Sequence, residues 1–230
     1  MSLMSSDGVN DRGASARRTL IETAERMYAE RGINGVSLRQ IGAAAGQLNT
    51  GAARYHFGSK VGLINAVFEH RMGPINAMRI EMLDAVEADG EGGSMRRLIE
   101  AFLLPLATAL GDRRRPSWYI RFAVAAGAVG GAAPTQLAGQ EWTRGMDRLR
   151  RLVFDALAAD SVPHRELRWQ LCLSYVAHAL ADREALVQQP PRGHFLPHDV
   201  FLSTLTDTAV ALISAPASPA TRHAPEGARS

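Results

Sequence analysis

Residues 36–60, VSLRQIGAAAGQLNTGAARYHFGSK, constrain the fold more than any other part of the chain. Ser37 is a good helix N-cap, because its hydroxyl can accept the free backbone N–H groups of a first turn. Gln40, three residues on, can reach back to the cap's own N–H and complete a capping box. Val36 and Ile41 have the spacing of a hydrophobic staple. A helix starting near Leu38 therefore has three supports. It runs through Gly42, Ala43, Ala44 and Ala45 to Gly46, which tolerates the left-handed conformation of a C-terminal cap. Gly42 is small enough to let a following helix approach closely. A second short helix then leads into Tyr55-His56-Phe57-Gly58-Ser59-Lys60. The pattern predicts a helix-turn-helix unit, with an ordinary Ala/Gly-rich helical hairpin as the plainer alternative.

Upstream, residues 15–31 form an amphipathic pattern. Leu20, Ala24, Met27 and Tyr28 share one face, flanked by Ile21. Glu22, Glu25, Arg26 and Glu30 occupy much of the remainder, and Gly32 closes the helix. Three helices in about fifty residues, the third exposed, match the homeodomain-like arrangement of DNA readers. The first would buttress, the second would cross the DNA backbone, and the third would enter the major groove.

Taken with the first helix, Val36-Ser37-Leu38-Arg39-Gln40-Ile41, Ala45-Gly46 and Tyr55-His56-Phe57-Gly58-Ser59-Lys60 resemble the N-terminal domain of the TetR family of bacterial repressors. The resemblance covers residues 15–72, about a quarter of the chain, and the Tyr-His-Phe-x-Ser-Lys element is its most specific part. It implies an all-α homodimer with a small DNA-binding domain and a larger, variable helical domain for ligand binding and dimerisation. Two departures stand out. One residue more than the commonest family pattern lies between Gly46 and Tyr55. Ala52-Ala53-Arg54 also replaces a larger apolar residue followed by an aromatic. Tyr55, His56 and Lys60 carry over directly, whereas residues 47–53 do not align so closely.

DNA binding would ask specific chemistry of these side chains. Phosphates take cations, hydroxyls and free helix N–H groups, which fix register without reading sequence. Lys60, the only lysine in the chain, should sit in the first turn of a fourth helix behind a Ser59 cap, sharing a phosphate with the helix N-terminus. Ser37, Arg39, Tyr55 and His56 are further phosphate or sugar candidates. Asn49, Thr50, Gly51 and Arg54 are the base-edge candidates, since Asn pairs with adenine, Arg with guanine, and a Thr methyl with thymine. Each has a simpler role available: Arg54 as a phosphate contact, His56 as a packed histidine, Tyr55 as partly core.

A chain of 230 residues that is 46% hydrophobic holds one sizeable core or two modest domains. A net charge of +3 and a pI near 9.5 are mildly basic, as one small DNA-facing surface would require. An architectural binder without sequence preference would usually carry more positive charge. The single cysteine, Cys172, and the lack of a secretory pattern favour a reducing cytoplasm, which the family resemblance implies is bacterial. No apolar run approaches the roughly twenty residues of a membrane span, so no membrane partner is expected. Met4 follows Met1 closely, which is how an added expression leader would look.

Beyond residue 71 the pattern is helical throughout. Helices are predicted over 60–72, 74–88 with Pro74 in its first turn, 94–110 kinked at Pro105, 117–128, 134–159, 163–188 and 197–213. The expected division is a tail at 1–14, a DNA-binding domain at 15–72, a ligand-binding and dimerisation domain at 73–214, and a tail at 215–230 rich in Pro, Ala and Ser. Family precedent places dimer contacts on the helices beginning at Pro134 and Pro163, with Leu149, Leu152, Val153, Leu157, Leu171, Leu173, Tyr175, Val176 and Leu180 as candidates shared between interface and core. Two helices from each subunit would hold recognition helices one DNA turn apart, about 34–36 Å. Arg113 to Arg115 and the Arg148, Arg150 and Arg151 group read as solvated faces.

A pocket for a small, apolar or aromatic effector would draw on Met78, Met82, Phe102, Leu106, Trp118, Tyr119, Phe122 and Trp142, all of which also suit plain core. No enzyme motif emerges: there is no H-E-x-x-H, no G-x-x-x-x-G-K-[ST] and no strand followed by G-x-G-x-x-G. Gly127 to Gly131 is a poor phosphate loop, and His194 and His198 around Pro197 make a poor metal site. No cofactor, catalytic residue or metal ligand is expected. The expected partners are double-stranded operator DNA, a second copy of the chain and an unidentified small molecule. A ligand-independent or activating DNA-binding regulator is the alternative, and a helical enzyme a more distant one.

Overall fold

The computed structural model describes residues 7–49, 51–90, 94–127, 140–158, 161–189 and 196–218, and every regular element among them is helical. The first helix, α1 (Asp7–Arg31), begins eight residues before the expected start. Residues 7–14 contain no proline, the one residue that would break a helix there outright. Leu20, Ile21, Ala24, Met27 and Tyr28 are buried as the periodicity predicts, but so is Glu25, which was expected on the polar face. Gly32, at φ +73°, ends the helix by donating its N–H to the Tyr28 carbonyl at 2.9 Å.

The helices α2 (Leu38–Ala44) and α3 (Ala52–Phe57) pack on each other and on α1. The next helix, α4 (Lys60–Ala88), is one continuous rod, which corrects the expected break between residues 72 and 74. Its 29 residues span roughly 43 Å at 1.5 Å per residue. Pro74 lies inside the helix and lacks an N–H, but Gly73 before it has no Cβ to meet the proline ring. Ile75 and Asn76 immediately after it are buried, so packing holds the second half in line with the first.

Next comes α5 (Met95–Ala107), with Pro105 inside it as expected. The missing N–H leaves the Ala101 carbonyl without its helical donor. Arg79 of α4 fills that place, its Nε donating to Ala101 O at 3.3 Å and its Nη2 to Phe102 O at 3.5 Å. Then follow α6 (Tyr119–Ala125), a 3-10 turn at Glu141–Thr143, α7 (Arg144–Ala156), α8 (Val162–Gln188) and α9 (His198–Ser214). Of the helix expected over 134–159, residues 134–139 lie outside the described residues, and α7 begins at Arg144: Gln140 is extended, at ψ 148°, and the Thr143 hydroxyl donates to its carbonyl at 2.8 Å. Gly145 lets α7 close on α4, and its N–H donates to Asn76 Oδ1 at 2.8 Å.

A single hydrophobic core runs from Leu20 in α1 to Ile213 in α9. Within it Phe122 of α6 packs against α1 and α4, 4.9 Å from the Phe68 ring and 6.1 Å from the Tyr28 ring. No helix among the described residues is long and apolar enough to cross a membrane.

Candidate nucleic-acid interface and the joint behind it

The frame of α2 is built as its sequence dictates. Gln40 N–H donates to Ser37 Oγ at 3.3 Å, and Ser37 N–H donates to Gln40 Oε1 at 2.8 Å, forming a reciprocal capping box. Val36 and Ile41, the staple pair, are both buried. At the far end, Gly46 takes φ +69°; its N–H donates to Ala43 O and that of Gln47 to Gly42 O, both at 3.1 Å. This double bond closes the helix in a Schellman motif.

The connection contains an Asx turn, in which Asn49 Oδ1 accepts the Gly51 N–H at 2.9 Å. That commits one of the two lone pairs of Asn49 Oδ1 to the turn. Thr50 lies outside the described residues. Gly51 caps α3 without a side-chain bond, and Ala53 is buried, which explains the small residue there: it lets α3 press onto the domain. Arg54 is exposed and Tyr55 is 87% exposed, so these adjacent side chains form the open face of α3. His56 is half-buried, its ring packed edge-on against Tyr55 at 5.3 Å. Ser37 and Arg39 lie exposed at the start of α2. Leu48 is fully exposed in the connection, a position that sequence reasoning did not single out.

A sharp reversal joins α3 to α4. Gly58 takes φ +70°. Ser59 then caps α4, its Oγ accepting the Gly62 N–H at 3.0 Å. A Cβ at Gly62 would lie 2.1 Å from the Phe57 carbonyl oxygen, so only glycine fits under that carbonyl. Lys60 is thereby placed in the first turn of α4, its ammonium 5.8 Å from the centre of the Tyr28 ring. Arg17 of α1 lies 5.3 Å over Phe57, which brings another cation to the end of α3.

Behind this surface, two buried carboxylates hold the start of α6. Glu25 of α1 accepts Arg71 Nε at 2.7 Å, Arg71 Nη2 at 2.9 Å and the Trp118 N–H at 3.3 Å. Burial works against the Arg71 charge, but the Glu25 carboxylate outweighs it and holds that guanidinium above its ordinary pKa. Glu184 of α8 accepts the N–H groups of Ile120 and Arg121 and the Arg121 Nε, each at 3.1 Å. Burial pushes the Glu184 carboxyl above the usual range, against the pull of those donors. Three otherwise free N–H groups at the start of α6 thus bond to carboxylates from α1 and α8, where a helix N-terminus favours negative charge. The signal for Glu25 was present: it follows Ile21 by four residues and precedes Tyr28 by three, on the apolar row. Glu184 offered only its place on a long helix one turn after the buried Leu180 and Ala181.

The eight expected effector-pocket residues do not form an open site. Phe102, Tyr119 and Phe122 are buried core, with Phe102 packed 6.2 Å from Trp169. Met82, Leu106 and Trp118 are half-buried, Met78 is exposed, and the Trp142 side chain lies outside what is described. A cavity of about 970 Å³ lies elsewhere, between the end of α5 and the facing ends of α8 and α9, and none of the eight lines it.

The expected dimer residues divide. Leu149, Val153, Val176 and Leu180 are wholly buried within the protomer and are corrected to core; Leu152, Leu157 and Leu173 are half-buried. Leu171 and Tyr175 are exposed and continue with Leu167 along one face of α8. Arg148 pairs with Asp84 and Glu87 of α4, and Arg150 with Glu166, so these arginines are ion-paired surface. His198 opens α9, and His194 lies outside the described residues. Burial pushes the Cys172 thiol up to about 12, which leaves it unreactive.

A capped helix, a glycine turn, a short exposed helix and a fourth helix starting beneath it define a helix-turn-helix DNA-binding domain. Residues 20–67 match the model of the family described as bacterial regulatory proteins, tetR family. Over those residues the chain is similar to the DNA-binding domain of TetR-family regulators. No curated protein matches the chain. Among solved structures, a TetR-family transcriptional regulator from Pectobacterium atrosepticum is similar: 22% identical, over 87% of this chain and 91% of that chain. Its TM-score of 0.39 describes a loose superposition.

Proposed function

We propose that the chain acts as a homodimeric, ligand-responsive regulator that occupies a palindromic operator and represses transcription. The observation that carries this reading is the open face of Arg54 and Tyr55 beside Lys60 at the head of α4. Lys60, Tyr55, His56, Ser37 and Arg39 contact phosphates and set register; Arg54 reads a base edge, and Leu48 offers an apolar contact to a thymine methyl. The second copy docks on the Leu167, Leu171 and Tyr175 face of α8.

A small molecule in the larger helical body releases the operator by favouring a different spacing of the two recognition helices. It works only through unequal affinity for the two arrangements. Support for this reading comes from α4, which is continuous from Lys60 into the body, and from the α6 joint, where α1 and α8 share one helix end.

Fluorescence anisotropy on an operator across a salt series tests the phosphate roles. Lys60→Ala should weaken binding and lower the magnitude of the log–log salt slope by about 1, with unchanged helicity. An unchanged slope and affinity would remove Lys60 from the interface. Arg54→Ala should relax preference at one base pair of each half-site, by about 1–3 kcal/mol of discrimination. The same preference in wild type and variant would show that Arg54 reads no base.

A further inference from the structure

The groove of about 970 Å³ has an apolar floor and a cationic rim. Leu110, Leu186 and Leu196 line the floor; the last two are 50% and 54% exposed. Arg113, Arg114, Arg115 and Arg183 line the same space with one carboxylate, Asp112.

One oxygen of that carboxylate is bonded to the backbone. Asp112 Oδ1 accepts the N–H groups of Arg114 and Arg115 at 2.7 and 2.8 Å, and the Asp112 N–H donates to Arg115 O at 3.1 Å. Gly111 closes the turn at φ +65°, where a Cβ would meet Arg115 O at 2.4 Å. The turn is therefore rigid, and it holds three successive exposed arginines at the edge of the groove.

Two of these guanidiniums donate to backbone carbonyls. Arg113 donates to the Gln189 carbonyl, and Arg183 donates to Leu196 O at 2.8 Å while lying 4.9 Å over the Phe201 ring. Among the described residues, no carboxylate forms a salt bridge with Arg113, Arg114 or Arg115. Pro197 and His198 line the wall where α9 begins, and α9 has no side-chain cap on its first N–H groups. Arginines that outnumber the one carboxylate lining the same space, around a leucine floor of drug-sized volume, suit one kind of occupant.

We infer that this groove binds a small anionic amphiphile, its carboxylate or phosphate held by Arg114 and Arg115 and its apolar body laid on Leu110, Leu186 and Leu196. Arginine forks match both oxyanions, and the leucines exclude a bare inorganic ion as the best ligand. As a binding site the groove stands on its own geometry; as the effector site it rests on the ligand-responsive reading above.

Isothermal titration of the full chain with decanoate, decan-1-ol and decylammonium separates charge from apolar burial, because the tail is shared. Decanoate should bind at least about tenfold more tightly than decan-1-ol, and decylammonium more weakly than either. Arg114→Gln with Arg115→Gln, both on the surface, should abolish the preference for the acid while leaving thermal unfolding unchanged. Leu186→Gln should weaken acid and alcohol together. Equal affinity for acid and alcohol, or a preference that survives the arginine changes, overturns the inference. Operator binding with and without decanoate separates the two readings: the charge signature without operator release keeps the site and overturns its effector role. No decanoate binding overturns the site and leaves ligand response elsewhere standing.

Discussion

At Gly62 a methyl group would sit 2.1 Å from the Phe57 carbonyl oxygen, and the whole approach of α3 to α4 depends on that empty space. Gly62→Ala should cost about 1–3 kcal/mol, as overpacking does, read as a lower unfolding midpoint. It should also weaken operator binding, because Lys60 moves with the turn. A stability within 0.5 kcal/mol of wild type, roughly the scatter of a neutral surface change, would show that the carbonyl can turn away. This constraint could not be read from the sequence, because the clash arises from the reversal at Gly58 and not from any spacing. The capping box was legible for the opposite reason: Ser37 and Gln40 make both bonds within three residues. Asn49 shows the boundary between the two cases. Its residue type suits adenine recognition, but a bond two residues long takes one lone pair of its oxygen first.

On the scale of elements, burial outweighed the local rule at two prolines. Pro74 marks a helix start in isolation, yet Gly73 and the buried residues after it carry α4 through. Pro105 stays inside α5, and the N–H it lacks leaves a carbonyl that recruits Arg79, 1% exposed and with burial pushing its guanidinium down to about 10. Arg79→Met and Pro105→Ala should therefore be coupled by about 1 kcal/mol in a double-mutant cycle of denaturant unfolding, since the alanine N–H competes for the same carbonyl. Additive effects would show that Arg79 serves some other purpose. The α6 joint makes a larger claim. Glu25→Gln leaves Arg71 half-buried without its carboxylate and should cost about 3 kcal/mol. Arg71→Met alone should be costly too, and the pair of changes less costly than their sum. Both carboxylates of the joint escaped the sequence reading, since a charged residue on a helix is ordinarily solvated and only the tertiary position of α6 reverses that.

For the molecule as a whole, the sequence disclosed the all-helical class and the place of the DNA-binding domain, because both rest on periodicity and capping. It could not divide core from contact surface. Leu149, Val153 and Val176 share helical faces with plausible interface residues, and only packing of α7 and α8 against their neighbours shows them to be interior. Leu171, 53% exposed, and Tyr175 remain outside. Leu171→Glu should convert a dimer to monomer in sedimentation, with unfolding of the protomer unchanged, while a persisting dimer would move the interface off this face of α8. The central claim is that two copies of this chain read one two-fold symmetric site. Selection of bound fragments from a random DNA pool by the full chain tests it most directly. An inverted repeat with half-site centres one helical turn apart is the predicted result. Enrichment of a single unrepeated half-site, or no enrichment over the starting pool, would contradict it.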